Sequence, residues 1–160
     1  MPSAKVMMLD ETIVGRELPT VHVYVDPERI RLFAESIGDL DPLHRDEAAA
    51  QAAGYRGLVA PLTFPIIILM DAELVLRLLD ELGVDRHRML HAEQTFIYHD
   101  EICAGDVLTC FSRITDLQVK KNGALQFLLA TTRMMNNRGR IVCEAISNTA
   151  VRHEVQLERT

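Results

Sequence analysis

The spacing of apolar and polar positions changes halfway along the chain. In the first half, residues 21–25 alternate and are β-branched, which predicts a strand. Asp26-Pro27 then opens a helix, with Asp26 as its cap and Pro27 at the first helical position. Ile30, Phe33, Ala34 and Ile37 fall on one face at helical spacing, and Gly38 ends the element. Residues 38–44 are too rich in turn formers for regular structure. Asp46 caps a short Ala-rich helix over 47–53 that Gly54 terminates, and residues 55–60 form a loop. A long helix begins between Pro61 and Pro65 and ends at Gly83. Its first half, residues 65–70, is apolar on every side, so other structure must wrap it.

From residue 91 onward the pattern is that of strands, over 91–102, 106–119, 124–136 and 140–152. Ala104-Gly105-Asp106, Lys121-Asn122-Gly123 and Asn136-Asn137-Arg138-Gly139 are the turns between them. Long consecutive strands predict an antiparallel meander. The expected architecture is therefore α+β, a curved antiparallel sheet wrapped around a long central apolar helix. It forms one domain over 1–160 with its core at about 12–153, and roughly ten residues at the start and seven at the end read as frayed. Such a sheet leaves an exposed edge and an open face, so a dimer, or a pairing with a second subunit of the same fold, is expected.

Composition narrows the functional classes. The chain has 160 residues, 48 % of them hydrophobic, with a formal net charge of −6. No basic stripe serves nucleic acid, and an acidic surface does not attract anionic membranes. The most apolar stretch, residues 61–82, is interrupted by Asp71, Glu73, Arg77, Asp80 and Glu81, which argues against a membrane span. Met1 to Asp10 shows no signal-peptide pattern. Cys103, Cys110 and Cys143 are odd in number and form no CxxC pair. They read as reduced core thiols of a cytoplasmic protein. His22, His87, His91 and His99 lack metal-ligand spacing. His91 and Glu93 share one strand face, but no metal is expected.

The chemistry concentrates in Gly38-Asp39-Leu40-Asp41-Pro42-Leu43-His44. This segment carries a carboxylate and an imidazole on one irregular stretch with a proline bend between them. Asp39 and His44 can hold and polarise one water and move one proton, work worth roughly a hundred- to ten-thousand-fold in rate. The plainer alternative is that both residues serve turn geometry and solvation.

The same segment resembles the hydratase motif of the MaoC-like family, Gly-Asp-x-Asn-Pro-x-His, in which Gly38, Asp39, Pro42 and His44 match. Asp41 stands where that family usually has Asn. Residues 54–63, and His91-Ala92-Glu93-Gln94 leading to Ala104-Gly105-Asp106, are similar to the FAS1-like dehydratase branch, which includes HadA-type subunits. The resemblance covers roughly residues 12 to 153 and implies a hot-dog fold. It also implies a lyase of fatty acid metabolism interconverting trans-2-enoyl and (R)-3-hydroxyacyl thioesters. Asp39 and His44 would be the catalytic pair, with acid and base not assigned separately. Asp41, Ala60, Leu62, Thr63 and Arg56 would be substrate-binding.

In that reading the thioester oxygen is held by amides at the start of the long helix. Pro61 has no N–H, so the donors would be Ala60, Leu62 or Thr63. Thr63 either lines the site or caps the helix. Tyr55 and Arg56 read as loop residues, and Arg56 alternatively as a partner for a phosphate of coenzyme A or phosphopantetheine. The protein itself would need no cofactor, since the substrate arrives on one of those carriers. The alternatives are a non-catalytic substrate-binding subunit of a heteromeric dehydratase, an acyl-CoA thioesterase, and an acyl sensor without chemistry.

Overall fold

The structure is a computed structural model that describes residues 8–153. The N-terminal and C-terminal stretches expected to fray fall largely outside the described residues. Leu9 does not: it is buried, and its N–H and C=O both pair with the side-chain amide of Gln126 at 2.8 Å. An apolar side chain with both backbone groups satisfied is held like a core residue, so the ordered fold begins earlier than its polarity suggested.

Five strands form one antiparallel sheet: β1 (Val21–Tyr24), β2 (Met89–Tyr98), β3 (Val107–Lys120), β4 (Leu125–Met135) and β5 (Ile141–Arg152). Their order is β1-β3-β4-β5-β2. The expected meander holds for β3, β4 and β5 only. β2 pairs with β5 and lies at the opposite edge from β1, so the β2–β3 connection crosses the sheet. Local turn signals specify hairpins, and residues 99–106 form a crossing segment that they cannot reveal. Register shifts at His91/Glu93 and Ile114/Asp116 add the local twist that curves a sheet.

Among the described residues, four α-helices accompany the sheet. In α1 (Pro27–Ser36), Asp26 accepts from the Glu28 N–H at 2.8 Å and Pro27 leads the first turn, as expected. In α2 (Glu47–Ala52), Asp46 caps the Ala48 and Ala49 amides. The single long helix expected up to Gly83 is instead two, α3 (Pro65–Ala72) and α4 (Leu74–Glu81). They meet at Glu73, whose φ of 49° is left-handed, a costly conformation for a residue with a Cβ. The physical reason is the core beneath. Ile68 of α3 packs into a cluster with Ile30, Phe64, Leu108, Met134 and Val142. Leu78 and Leu79 of α4 pack into a second cluster with Ile13, Ile114, Leu117 and Leu128. One straight helix cannot present its buried residues to both. The fold class is the expected one, a hot-dog arrangement of a curved antiparallel sheet around central helices.

Two predictions follow from this packing. Gln126→Leu strands the polar groups of Leu9 and is expected to cost about 1–3 kcal/mol in urea denaturation, with the fold retained. His153 is buried, among the described residues neither ring nitrogen has a hydrogen-bond partner, and burial, then the charge of Arg88, depresses its pKa below the ordinary value. A depressed folded-state pKa gives stability that is full above the unfolded value near about 6.5 and declines as pH falls through the folded one. Chemical denaturation at a series of pH values from neutral to mildly acidic should show that decline. The decline should be smaller in His153→Gln.

Candidate active site

Local backbone bonds build the site before any long-range contact does. Gly38 takes a left-handed φ of 71°, and the Asp39 N–H reaches back to Ala34 O at 2.8 Å, so the chain turns sharply out of α1. Asp39 Oδ1 accepts from the Asp41 N–H at 3.0 Å, and Asp41 Oδ1 accepts from the Leu43 N–H at 2.9 Å. Pro42 then starts a single tight helical turn ending at His44. These bonds occupy one oxygen of Asp39 and leave Oδ2 pointing at His44 Nε2, 3.4 Å away.

A second strip of backbone fixes the imidazole. Residues 57–60 run antiparallel to 102–104: Ala104 N donates to Leu58 O and Ala60 N donates to Ile102 O, each at 2.8 Å, with a bridge between Val59 and Cys103. Gly57 lies so close to this strip that a Cβ there would meet Ala104 O at 3.2 Å. Val59 therefore sits rigidly. Its N–H donates to Leu43 O at 2.9 Å, and its carbonyl lies 2.7 Å from His44 Nδ1. A carbonyl oxygen can only accept, so Nδ1 carries the proton and Nε2 of the neutral ring offers a lone pair. The His44 side chain is 13 % exposed and that of Asp39 34 %. The pair is thus sheltered yet reachable.

The other expected site residues separate into two groups. Leu62 and Thr63 are exposed and immediately precede α3, and among the described residues neither N–H has a backbone acceptor. Tyr98 donates its hydroxyl to Leu62 O at 2.8 Å and so anchors this segment to β2. Burial raises the Tyr98 pKa, so its proton stays in place. Ala60 is different: its N–H is taken by Ile102 O, which removes it as an oxyanion donor. Thr63 does not cap the helix, because the N-cap position of α3 is Phe64 and no side chain caps the helix there. Asp41 uses a carboxylate oxygen on its own turn.

Arg56 has a partner other than the expected phosphate. Its guanidinium makes a two-pronged contact with Asp106, at 2.5 and 3.2 Å, and Asp106 also accepts from the Cys103 N–H at 3.0 Å. The Asp106 carboxylate is buried, so it needs that compensation.

Neither Val59 nor Tyr98 was flagged by the sequence. Val59 acts through a backbone atom, which carries no residue-type signal. The three cysteines are buried, and burial pushes the thiols of Cys110 and Cys143 up to about 11. They are not poised as nucleophiles. Among the described residues no three His, Cys, Asp or Glu side chains converge on a metal position. No helix there is long and apolar enough to cross a membrane.

A cavity of about 360 Å³ lies between the two central helices and the sheet face they cover. Ile66, Leu69, Met70, Leu74 and Val75 wall it on the helix side. Its near end at Ile66 is one turn beyond Thr63, whose carbonyl accepts from the Ile66 N–H. A second hollow of similar volume lies where Glu17 and Thr20 meet Phe111, Arg113 and Arg133, and neither hollow is lined by Asp39 or His44.

A hot-dog sheet bearing an acid and an imidazole on the turn after its first helix defines a MaoC-like dehydratase or hydratase class. The chain belongs to the FAS1-like dehydratase domain region family, whose model matches residues 12–145. A UPF0336 protein of Saccharopolyspora erythraea is 38 % identical over 147 residues, covering 91 % of this chain and 93 % of that protein. Another, from Thermobifida fusca, is 36 % identical over 148 residues, covering 91 % and 95 %.

Among solved structures, a chain of the HadBC (3R-hydroxyacyl-ACP dehydratase) complex of Mycobacterium tuberculosis superposes with a TM-score of 0.76 at 26 % identity. That match covers 90 % of this chain and 99 % of that one. The (R)-hydratase from A. caviae shares the fold at a TM-score of 0.61 and 19 % identity, covering 85 % and 94 %. Some of these neighbours are heteromeric hot-dog complexes.

The ion pair gives a direct test of the role of Arg56. Arg56→Ala leaves the buried Asp106 charge uncompensated and should lower stability by about 3 kcal/mol in thermal or urea denaturation. A rise in KM for acyl-CoA with unchanged stability would instead assign Arg56 to phosphate binding.

Proposed function

We propose that this chain hydrates trans-2-enoyl thioesters to (R)-3-hydroxyacyl thioesters, and catalyses the reverse dehydration. The observation that carries the reading is the Nδ1 hydrogen bond of His44 to Val59 O, with Nε2 turned toward Asp39 Oδ2. Two acceptors at that spacing suit one water donating a hydrogen to each. As the water oxygen bonds to C3, a proton leaves it for Nε2, and the C2=C3 electron pair shifts toward the thioester carbonyl. The oxygen that gains charge there meets the N–H groups of Leu62 and Thr63, at the positive end of α3. The same proton, returned to C2, completes the addition, so no external acid or base is consumed. Asp39 orients the water and stabilises the imidazolium while it exists. Coenzyme A or phosphopantetheine carries the substrate, and the protein needs no cofactor of its own.

The functional unit is a homodimer or a pair with another hot-dog subunit, in the cytoplasm. β2 ends the sheet with an unpaired edge, and Leu90 on it is 68 % exposed. Leu40 and Leu62 beside the site are also bare, at 76 % and 72 %, and a second subunit would cover them. The occupied Ala60 amide and the proline after it favour a second reading. With fewer donors for the oxyanion, the chain could serve as the substrate-binding member of a heteromeric pair. Buried, protonated cysteines do not favour a thioesterase that uses a thiol nucleophile.

Hydration of crotonyl-CoA and longer enoyl-CoAs, followed as loss of enoyl absorbance, is the test. Asp39→Asn and His44→Ala should each lower kcat/KM by roughly a hundred- to ten-thousand-fold. The double variant should be little worse than the weaker single one, because the two residues act on one water. Full activity in Asp39→Asn within a heteromeric complex would move the chemistry to the partner.

A further inference from the structure

The sheet face beneath the central helices is not uniformly apolar. Ser112 pairs in register with Thr132, Ser147 with Gln94, and Thr149 with His91. All six residues line the cavity, and they cross the sheet as one polar band. The band separates the two hydrophobic clusters. Cys110, Met134 and Ala145 lie on one side of it, and Ile114, Ala130 and Val151 on the other. The break between α3 and α4 lies opposite, since Glu73 also borders the cavity. Polar band, helix break and cavity therefore coincide.

The hydrogen-bond balance of the band points to its occupant. Ser112 and Thr132 are both buried, and their hydroxyls share one bond of 2.8 Å. Two hydroxyls carry two hydrogens, so this pair keeps one donor for a guest. Ser147 donates to Gln94 Oε1 at 2.7 Å, and Gln94 Nε2 donates to backbone carbonyls, so the Ser147–Gln94 pair keeps acceptor capacity only. A plain alkyl chain filling the cavity would strand these groups from water, a penalty that a packed apolar wall does not recover. The helix-side wall, by contrast, is wholly aliphatic from Ile66 to Val75 apart from Glu73. Ile66, Leu69, Met70 and Glu73 follow one helical face away from the Leu62 and Thr63 amides, for about 10 Å of rise.

We infer that the cavity accepts the distal part of an acyl chain bearing an oxygen function, a hydroxyl or ketone, that bonds to the Ser112–Thr132 pair. The inference rests on the acyl-thioester reading above and names the substrate class within it. Discrimination follows from the asymmetry of buried polar sites. A site built to bond an oxygen rejects the analogue that lacks it far more strongly than an apolar pocket rejects an extra methylene.

The test compares trans-2-decenoyl-CoA with chain-matched enoyl-CoAs carrying a hydroxyl on each of the outer methylenes in turn. For the wild-type protein, at least one hydroxylated substrate should be preferred about tenfold or more in kcat/KM. In Ser112→Ala/Thr132→Val the ratio should fall to about one or below. The ratio is read within one preparation, so a general loss of activity does not move it. A wild-type ratio at or below one, or a ratio that the double variant leaves unchanged, overturns the inference. If that variant fails to fold, the closer-sized Ser112→Cys/Thr132→Val takes its place under the same criterion. If no enoyl-CoA turns over, the hydratase reading fails on its own. The cavity is then judged by calorimetric Kd values of the saturated acyl-CoAs, where the same preference is expected and equal affinities reject it.

Discussion

The hydrogen bond from His44 Nδ1 to the carbonyl of Val59 is the constraint on which the site depends. It joins two segments, the turn after α1 and the strip before α3, that have no regular secondary structure to hold them together. It also decides the proton inventory. With Nδ1 committed to a carbonyl, the free lone pair of the neutral ring is on Nε2, the nitrogen that lies 3.4 Å from Asp39 Oδ2. Val59 can impose this because both its backbone groups are tied to residues 43 and 44, and because its own strip is bonded to residues 102–104. The rigidity is therefore inherited from the sheet side of the molecule, through the segment that crosses it.

That crossing segment has a second consequence. Asp106, at its end, neutralises Arg56 and holds the Cys103 N–H, so an ion pair shielded on its carboxylate side pins the strip that carries Val59. A charge pair of this kind contributes little net stability compared with an apolar substitute, but it punishes the loss of either partner. The same device that keeps the imidazole in place thus engages Arg56, whose residue type suggested a phosphate partner, with Asp106. The start of α3 is built with similar economy. Pro61 removes one amide, Ile102 takes another, and Tyr98 fixes the Leu62 carbonyl, which leaves the Leu62 and Thr63 N–H groups without a backbone acceptor among the described residues.

The core shows the same division between order and function. Two apolar clusters would pack more simply as one under a continuous helix. A strained Glu73 and a band of hydroxyls keep them apart, and a cavity occupies the gap. Conformational strain and buried polar groups both cost stability. Strain, buried hydroxyls and empty space thus coincide at one place under the junction of α3 and α4.

Much of this was written in the chain itself. Period-two runs dictated β3, β4 and β5 to within a residue or two, because alternation is forced on any strand with one covered face. Asp26, Asp46, Gly38 and Gly54 set helix ends through local hydrogen bonds and backbone sterics that need no tertiary partner. The Gly-Asp-x-x-Pro-x-His turn folds mostly on itself, so the proximity of Asp39 to His44 was legible from neighbouring residues alone. What the tertiary structure alone decided involves groups far apart in sequence or identical in every residue. The exchange of β2 to the far edge, the kink at Glu73, the capture of Arg56 by Asp106 and of the Ala60 amide by Ile102 all belong here. So does the tautomer of His44, which a backbone oxygen fixes from fifteen positions away. Residue identity encodes side-chain preference and local geometry; which backbone atom meets which side chain is settled only when the packed sheet brings them together.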